Sequence, residues 1–368
     1  MDERAYWLGF NLIKGIGAVR LRALLDFFGD LQTAWNAPLE ALTAAGLSER
    51  LATSALAARK EVDLEARWNE LERKQITLLT WNDPGYPRRL KEIDQPPPVL
   101  YLRGDLLIED DWAVAIVGTR RVTSYGRQVT EELAAYLARS GIAVVSGMAR
   151  GVDGVAHDTA LRAGGRTLAV LGCGVDVTYP PEHLRLSERI IAQGALISDY
   201  APGTQPESAN FPPRNRIIAG LSLATVVIEA GETSGALITA SFAADQGREV
   251  LALPGNIYAP QSKGTNKLIQ TGARPLLRVE DVMDALSLDR VQEQRQARQI
   301  LPADDLEARL LDILSAEPQH IDEIGAQIDL SIEQVSATLT LMELKGMIRH
   351  VGGMNYVTTR ETREAYRA

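Results

Sequence analysis

From Trp112 onward the chain repeats one pattern: a short, unbroken apolar run, a glycine-marked turn, then an amphipathic stretch. The runs at Ala113–Val117, Ala143–Ser146, Leu168–Leu171, Leu196–Ser198, Ala224–Glu229 and Val250–Leu253 do not alternate polar with apolar residues. As strands they are buried on both faces. Stretches of helical period near 124–140, 153–163, 182–193, 214–221 and 234–247 separate them. A parallel sheet covered by helices on both sides buries strands of this kind. The pattern therefore predicts an α/β chain whose core, over 113–286, is a Rossmann-like, doubly wound parallel sheet. Gly141 and Gly247 fall just past helix ends, where a left-handed cap suits glycine.

The flanks read differently. Residues 1–80 are expected to be an all-helical module, with turns at Gly15-Ile16-Gly17 and Ala45-Gly46-Leu47. Residues 81–112, with WNDPGYPRRL and the Gln95-Pro96-Pro97-Pro98 run, read as a connector, because proline fits neither a helix interior nor a central strand. Residues 287–303, SLDRVQEQRQARQILPA from Ser287, are polar and read as a linker. Residues 304–368 have the rhythm of a winged helix: helices at Leu306–Leu314, His320–Ile328 and Ile332–Leu344, then a Gly352-Gly353 hairpin between Met347–Val351 and Asn355–Thr358.

Charge narrows the possible partners. The chain carries a net −9, but unevenly: −4 over residues 1–112, +2 over 113–275 and −7 over 276–368. Local potential governs anion binding, so the middle segment is where a polyanion would be held. No apolar run is long enough to span a bilayer, and MDERAYWLGF lacks a signal-peptide pattern. The one cysteine, Cys173, cannot form an internal disulfide. A cytoplasmic location is the expectation.

The turns of the core carry the chemistry. After the first strand comes Gly118-Thr119-Arg120, with Thr123 or Ser124 capping the next helix. Arg120 stands where a second glycine would admit a pyrophosphate, so no dinucleotide cofactor is expected; its guanidinium suits a single phosphate. The second turn, Ser146-Gly147-Met148-Ala149-Arg150-Gly151-Val152-Asp153, could offer a nest of N–H groups to another phosphate, or Arg150 and Asp153 could pair. His157 reads as a packing histidine, since no nucleophile accompanies it. The third turn holds Gly172, Cys173 and Gly174 ahead of Tyr179-Pro180-Pro181, with glycines that allow close approach by a ligand. Cys173 reads as a buried filler. In FPPRNRIIAG, a helix beginning near Arg214 places Arg214, Asn215 and Arg216 in its first turn, beside Phe211. Cations at the positive end of a helix dipole are unfavourable without a neighbouring anion, which makes this turn the strongest local argument for a phosphate site. Ser234 and Gly235 open the next helix, and Lys263 and Asn266 lie in the loop after the last strand. No catalytic group, cofactor or metal is expected.

The blocks AIVGTRRVTSYG, VVSGMARGVDGVAH, TLAVLGCGVDVTYP, FPPRNRIIAG, VVIEAGETSGALITA, EVLALPGN and GTNKLIQTGA span most of 113–275. Together they closely resemble the DNA-processing protein A (DprA/Smf) family, and YPRRLKEIDQPPPVLYLRG resembles that family's lead-in. The resemblance implies an N-terminal module of the SAM or helix-hairpin-helix kind, a Rossmann-like core and a C-terminal winged helix. It further implies single-stranded DNA binding in a positive pocket of the core, self-association as a homodimer, and loading of the RecA recombinase during natural transformation. By motif position, Arg120 and the Arg214-Asn215-Arg216 group inherit the phosphate role. Where relatives carry a basic residue after the Tyr-Pro of the third loop, this chain has Pro181, with Arg185 as the nearest substitute.

Two other readings compete. Rossmann-like LOG nucleotide phosphoribohydrolases resemble P-G-G-x-G-T-x-x-E, whereas this chain has Ala230-Gly231-Glu232-Thr233-Ser234-Gly235-Ala236, without the general-base pattern. A winged-helix transcription regulator would want outward Arg, Lys, Asn or Gln on its recognition helix. SIEQVSATLTLMELKG offers Glu333, Glu343 and Lys345, and reads as a protein-contact surface.

Overall fold

The computed structural model describes residues 2–286, 305–314, 318–328, 332–344 and 347–358, in two compact units that divide near residue 282. The first unit opens with helices α1 (Arg4–Asn11), α2 (Ala18–Phe28), α3 (Leu31–Asn36), α4 (Leu39–Ala44), α5 (Glu49–Glu61) and α6 (Leu64–Arg73). Their apolar faces bury Phe10, Leu24, Leu42 and Ala55 against one another. Asp30 and Asp63 cap α3 and α6, their carboxylates accepting from the N–H groups of Thr33 and Ala66. Gly15 and Gly46 take φ +99° and +96° at the two expected turns.

The expected helical module holds through Arg73, but its last residues and the expected connector need correction. Strands β1 (Thr77–Thr80) and β2 (Val99–Gly104), with the short helix α7 (Arg88–Lys91) between them, join the central sheet. Proline bars a strand only at the positions it occupies. The Val99–Leu102 run that follows is fully buried and pairs antiparallel with β1.

The core then alternates as expected: β3 (Ala113–Val117), α8 (Ser124–Arg139), β4 (Ala143–Ser146), α9 (Val152–Arg162), β5 (Thr167–Val170), α10 (Leu184–Gln193), β6 (Gly194–Ser198), α11 (Phe211–Gly220), β7 (Ala224–Val227), α12 (Gly235–Asp245), β8 (Glu249–Ala252), α13 (Lys263–Gln270), β9 (Arg274–Pro275) and α14 (Asp281–Ala285). Among the described residues the sheet runs β1-β2-β6-β5-β4-β3-β7-β8-β9, and every pair from β6 to β9 is parallel. The order reverses direction between β3 and β7, which in open α/β sheets is where the strand ends leave a ligand crevice. Gly141 and Gly247 adopt φ +72° and +67°, the left-handed caps expected of them.

The second unit has α15 (Asp305–Ile313), β10 (Gln319–His320), α16 (Ile321–Ile328), α17 (Ile332–Leu344), β11 (Ile348–His350) and β12 (Asn355–Thr358), with β11 and β12 antiparallel around Gly352-Gly353. It is the expected winged helix, closed over Leu310, Ile324, Leu339 and Met342. The expected linker 287–303 and the recognition-helix residue Lys345 lie outside the described residues.

Candidate nucleic-acid interface

The loops after β3, β4, β5 and β7 and the first turn of α11 meet at the C-terminal edge of the sheet. At their centre is Phe211. The guanidinium carbons of Arg120 and Arg214 each lie 5.8 Å from its ring centroid. Tyr179 packs beside it, with ring centroids 5.7 Å apart and a 34° tilt. Cations over an aromatic face are attracted by the ring quadrupole, so the cluster orders its own charges before any ligand arrives.

Two adjoining grooves share Arg120, Ala149, Phe211 and Arg214. One continues past Gly147 and Arg150 to Gly172, Cys173 and Tyr179. The other, of about 380 Å³, continues past Gly118, Thr119 and Asn215 to Ser234 and Gly235 at the start of α12. Ten of the residues expected at the site therefore line one rim: Gly118, Thr119, Arg120, Gly147 and Gly172 from the sheet loops, with Phe211, Arg214, Asn215, Ser234 and Gly235 from the helix starts.

Their roles differ from expectation in ways the local sequence could not reveal. Helix α11 begins at Phe211, not Arg214, with Pro212 and Pro213 inside its first turn. That puts Arg214 past the exposed N–H groups. Its side chain turns inward and is buried, donating from Nη1 to the carbonyls of Gly147 (2.9 Å) and Val170, and from Nε to Asn215 Oδ1. Burial pushes the Arg214 pKa down, and the nearby Asp153 charge pulls it back up. The anion that compensates Arg214 is thus internal. Asp153, also buried, accepts from the N–H groups of Gly147 and Ala149 at 3.2 Å each. The nest of the second turn is filled by this carboxylate, not left open for a phosphate.

The N-terminus of α8 is filled in the same manner. Glu229, buried just past β7, accepts from Thr123 N at 2.9 Å and from Thr123 Oγ1 at 2.5 Å, while Thr123 caps Gly126. A dinucleotide-binding sheet would place pyrophosphate there. Here a carboxylate of the chain takes the position.

Five expected contacts lie off the rim. Ser146 is buried and donates to Ile116 O at 2.6 Å. Gly174 packs against Asp176 and Ala201. Arg216 pairs with Asp199 at 2.7 Å on the opposite flank of α11. Asn266 holds both the N–H and the carbonyl of Gly255. Lys263 is exposed beside Glu232 at 4.0 Å. Arg185, the possible substitute for a basic third loop, is exposed on α10 and lines neither groove.

The glycines also serve the protein's own packing. A Cβ on Gly172 would lie 2.8 Å from the Phe211 ring, and one on Gly147 would lie 2.6 Å from the Arg214 guanidinium. Close approach is real, but the approaching groups belong to the chain itself.

Sequence reasoning did not assign Arg150, Asp153 or Glu229 to the site. Asp153 and Glu229 stand beside helix starts, where a carboxylate is an electrostatic plug, and that position was the available signal. His157 is buried, with Nδ1 2.6 Å from Thr167 Oγ1, and burial pushes its pKa down to about 3. Burial likewise raises Cys173 to about 11. Neither is poised for acid–base or nucleophilic work at neutral pH. Among the described residues no helix is long and apolar enough to cross a membrane, and no group of three or more His, Cys, Asp or Glu could hold a metal ion.

Comparison with known proteins completes the picture. Residues 77–287 match the family model described as DNA recombination-mediator protein A, and residues 294–354 match the DprA winged helix domain. The family region begins at β1, consistent with that strand belonging to the sheet. A Synechocystis protein named Smf is 38% identical over 96% of this chain and 98% of its own length. The crystal structure of DNA processing protein A from Streptococcus pneumoniae aligns with TM-score 0.68 at 33% identity, covering 76% of this chain and 97% of that one. The Helicobacter pylori DNA processing protein A, solved for its single-stranded DNA binding mode, aligns with TM-score 0.53 at 32% identity, covering 58% of this chain and 97% of that one.

Proposed function

Because this chain belongs to the DNA recombination-mediator protein A family, we propose that it binds single-stranded DNA along the rim centred on Phe211. The strand's phosphates meet Arg120 and the start of α12, and its bases stack near Tyr179 and Phe211. The observation that carries this reading is Arg120 itself. It is exposed, it lines both grooves, and its guanidinium makes no ion pair among the described residues. A cation ordered over an aromatic ring and left without an anion suits a phosphate.

Arg214 has a different part in this reading. It positions the Phe211 ring and the second loop from beneath, and the phosphate role expected of it passes to Arg120. Lys263 remains a candidate peripheral contact, as the 4.0 Å separation from Glu232 leaves it open to exchange.

Following the family, the protein acts in DNA processing during natural transformation, without catalysis. It works as a homodimer that protects incoming strands and loads the RecA recombinase. The winged helix serves as a protein contact, in keeping with the exposed Ile332 and Leu341 on α17.

Fluorescence anisotropy with single-stranded and duplex oligonucleotides across a salt series tests the reading. Preferential single-strand binding that weakens steeply with salt is expected, since each phosphate contact contributes about 0.7 to the log–log slope. Equal affinity for duplex, or binding insensitive to salt, would refute it.

A further inference from the structure

Three guanidiniums line the groove that runs from Phe211 to Tyr179: Arg120, Arg150 and Arg214. Arg214 is taken by backbone carbonyls and Arg120 has no ion pair among the described residues. Arg150 is in a third condition. Its Nε donates to Glu182 Oε1, a residue of the third loop, and both side chains are well exposed, at 60% and 48%.

A carboxylate in this place needs a reason, since it cancels a cation at the mouth of a groove suited to an anion. Fold stability supplies little of one. Exposed ion pairs add little net stability, because two long side chains must be ordered in high dielectric. The second and third loops are also joined without this pair. The carbonyl of Met148 in the second loop lies 3.0 Å from Nδ1 of His183 in the third. The loops would keep their places if Glu182 swung away.

Carboxylate and phosphate oxygens offer a guanidinium similar acceptor geometry, and a backbone phosphodiester carries the same single negative charge as a carboxylate. We propose that Arg150 is a further backbone-phosphate contact of this site, held by Glu182 as an internal substitute until an incoming strand displaces the carboxylate. The proposal rests on the single-strand reading. The exchange replaces one charge-assisted hydrogen bond by another and frees Glu182 to solvent, so it sets affinity below the level a free Arg150 would give. Arg150 holds the Glu182 carboxyl down to about 2, so the substitute stays ionised at any working pH and only competition by another anion releases Arg150.

The test is anisotropy of a fluorescein-labelled oligodeoxythymidylate with the full chain and the variants Glu182→Gln, Arg150→Ala and their combination, across a sodium chloride series. Glu188→Gln, at an exposed position on α10, controls for the loss of one negative charge at a distance. Glu182→Gln should tighten binding at least threefold, because the phosphate no longer has to displace a carboxylate from Arg150. The gain should vanish in the Arg150→Ala background and be smaller in Glu188→Gln. Equal tightening in either of those proteins would overturn the displacement, because general charge removal would then explain it. Unchanged or weaker binding by Glu182→Gln, in a chain whose unaltered form binds, would overturn this proposal alone. Absence of salt-dependent binding by the unaltered chain would overturn the single-strand reading and this proposal with it.

Discussion

The loop after β3 and the first turn of α11 each bring a guanidinium to the same phenyl ring at the same 5.8 Å, and they use it in opposite ways. Arg214 lies under the ring, buried, spending its donors on Gly147 and Val170 carbonyls and facing the Asp153 carboxylate. Arg120 lies on the solvent side, exposed and without an ion pair among the described residues. In the reading proposed above, the buried arginine supports the site and the exposed one meets the ligand. Sequence position alone had given both the same role.

Substitutions should separate the two halves. The largest effect is expected for Arg214→Ala, which strands two carbonyls and leaves Asp153 buried without its countercharge. Leaving such buried acceptors unpaired costs about 1–3 kcal/mol each, so urea denaturation should show a marked fall in midpoint. An Arg214→Ala protein of full stability that has merely lost DNA affinity would erase the contrast.

Acid should next find the buried half. His157 sits behind the second loop with its pKa pushed down to about 3 by burial, below the ordinary value of 6.5. The unfolded chain therefore binds the proton more readily. The stability this contributes is present above about pH 6.5 and is lost progressively as pH falls toward 3. Thermal melts across that window should fall, and His157→Gln should flatten the decline. A pH-independent melt would place His157 in contact with water.

Gly172→Ala comes third. Its Cβ would sit 2.8 Å from the Phe211 ring, so the ring must shift or the loop must give, at a cost of about 1–3 kcal/mol in melting stability. An unchanged melting temperature would mean that the ring is loosely held. Arg120→Ala should have the smallest effect. We expect about 1 kcal/mol of lost single-strand affinity, roughly fivefold in Kd, with melting unaltered. A drop in melting temperature instead would make Arg120 a second structural arginine.

The core was readily legible. The unalternating runs at Ala113–Val117 and Ala143–Ser146 are strands with those same bounds, because a segment buried on both faces has no polar register to obscure it. Where reading failed, a local rule met a nonlocal partner. The prolines before Val99 suggested a connector, yet β2 finds hydrogen bonds from β1 and β6. Arg216 looked like a phosphate ligand until the fold brought Asp199 to within 2.7 Å of it.

What the sequence settled unaided was the alternation of strands and helices, and with it the edge where glycine turns and arginines gather, since periodicity and turn chemistry are properties of neighbouring residues. Which of those cations stay free was decided only in three dimensions. Asp153 and Glu229 act across loop and strand junctions, and charge compensation in a protein interior depends on distances that residue order does not record. Folding filled two anion positions from within and left Arg120 exposed, without an ion pair among the described residues.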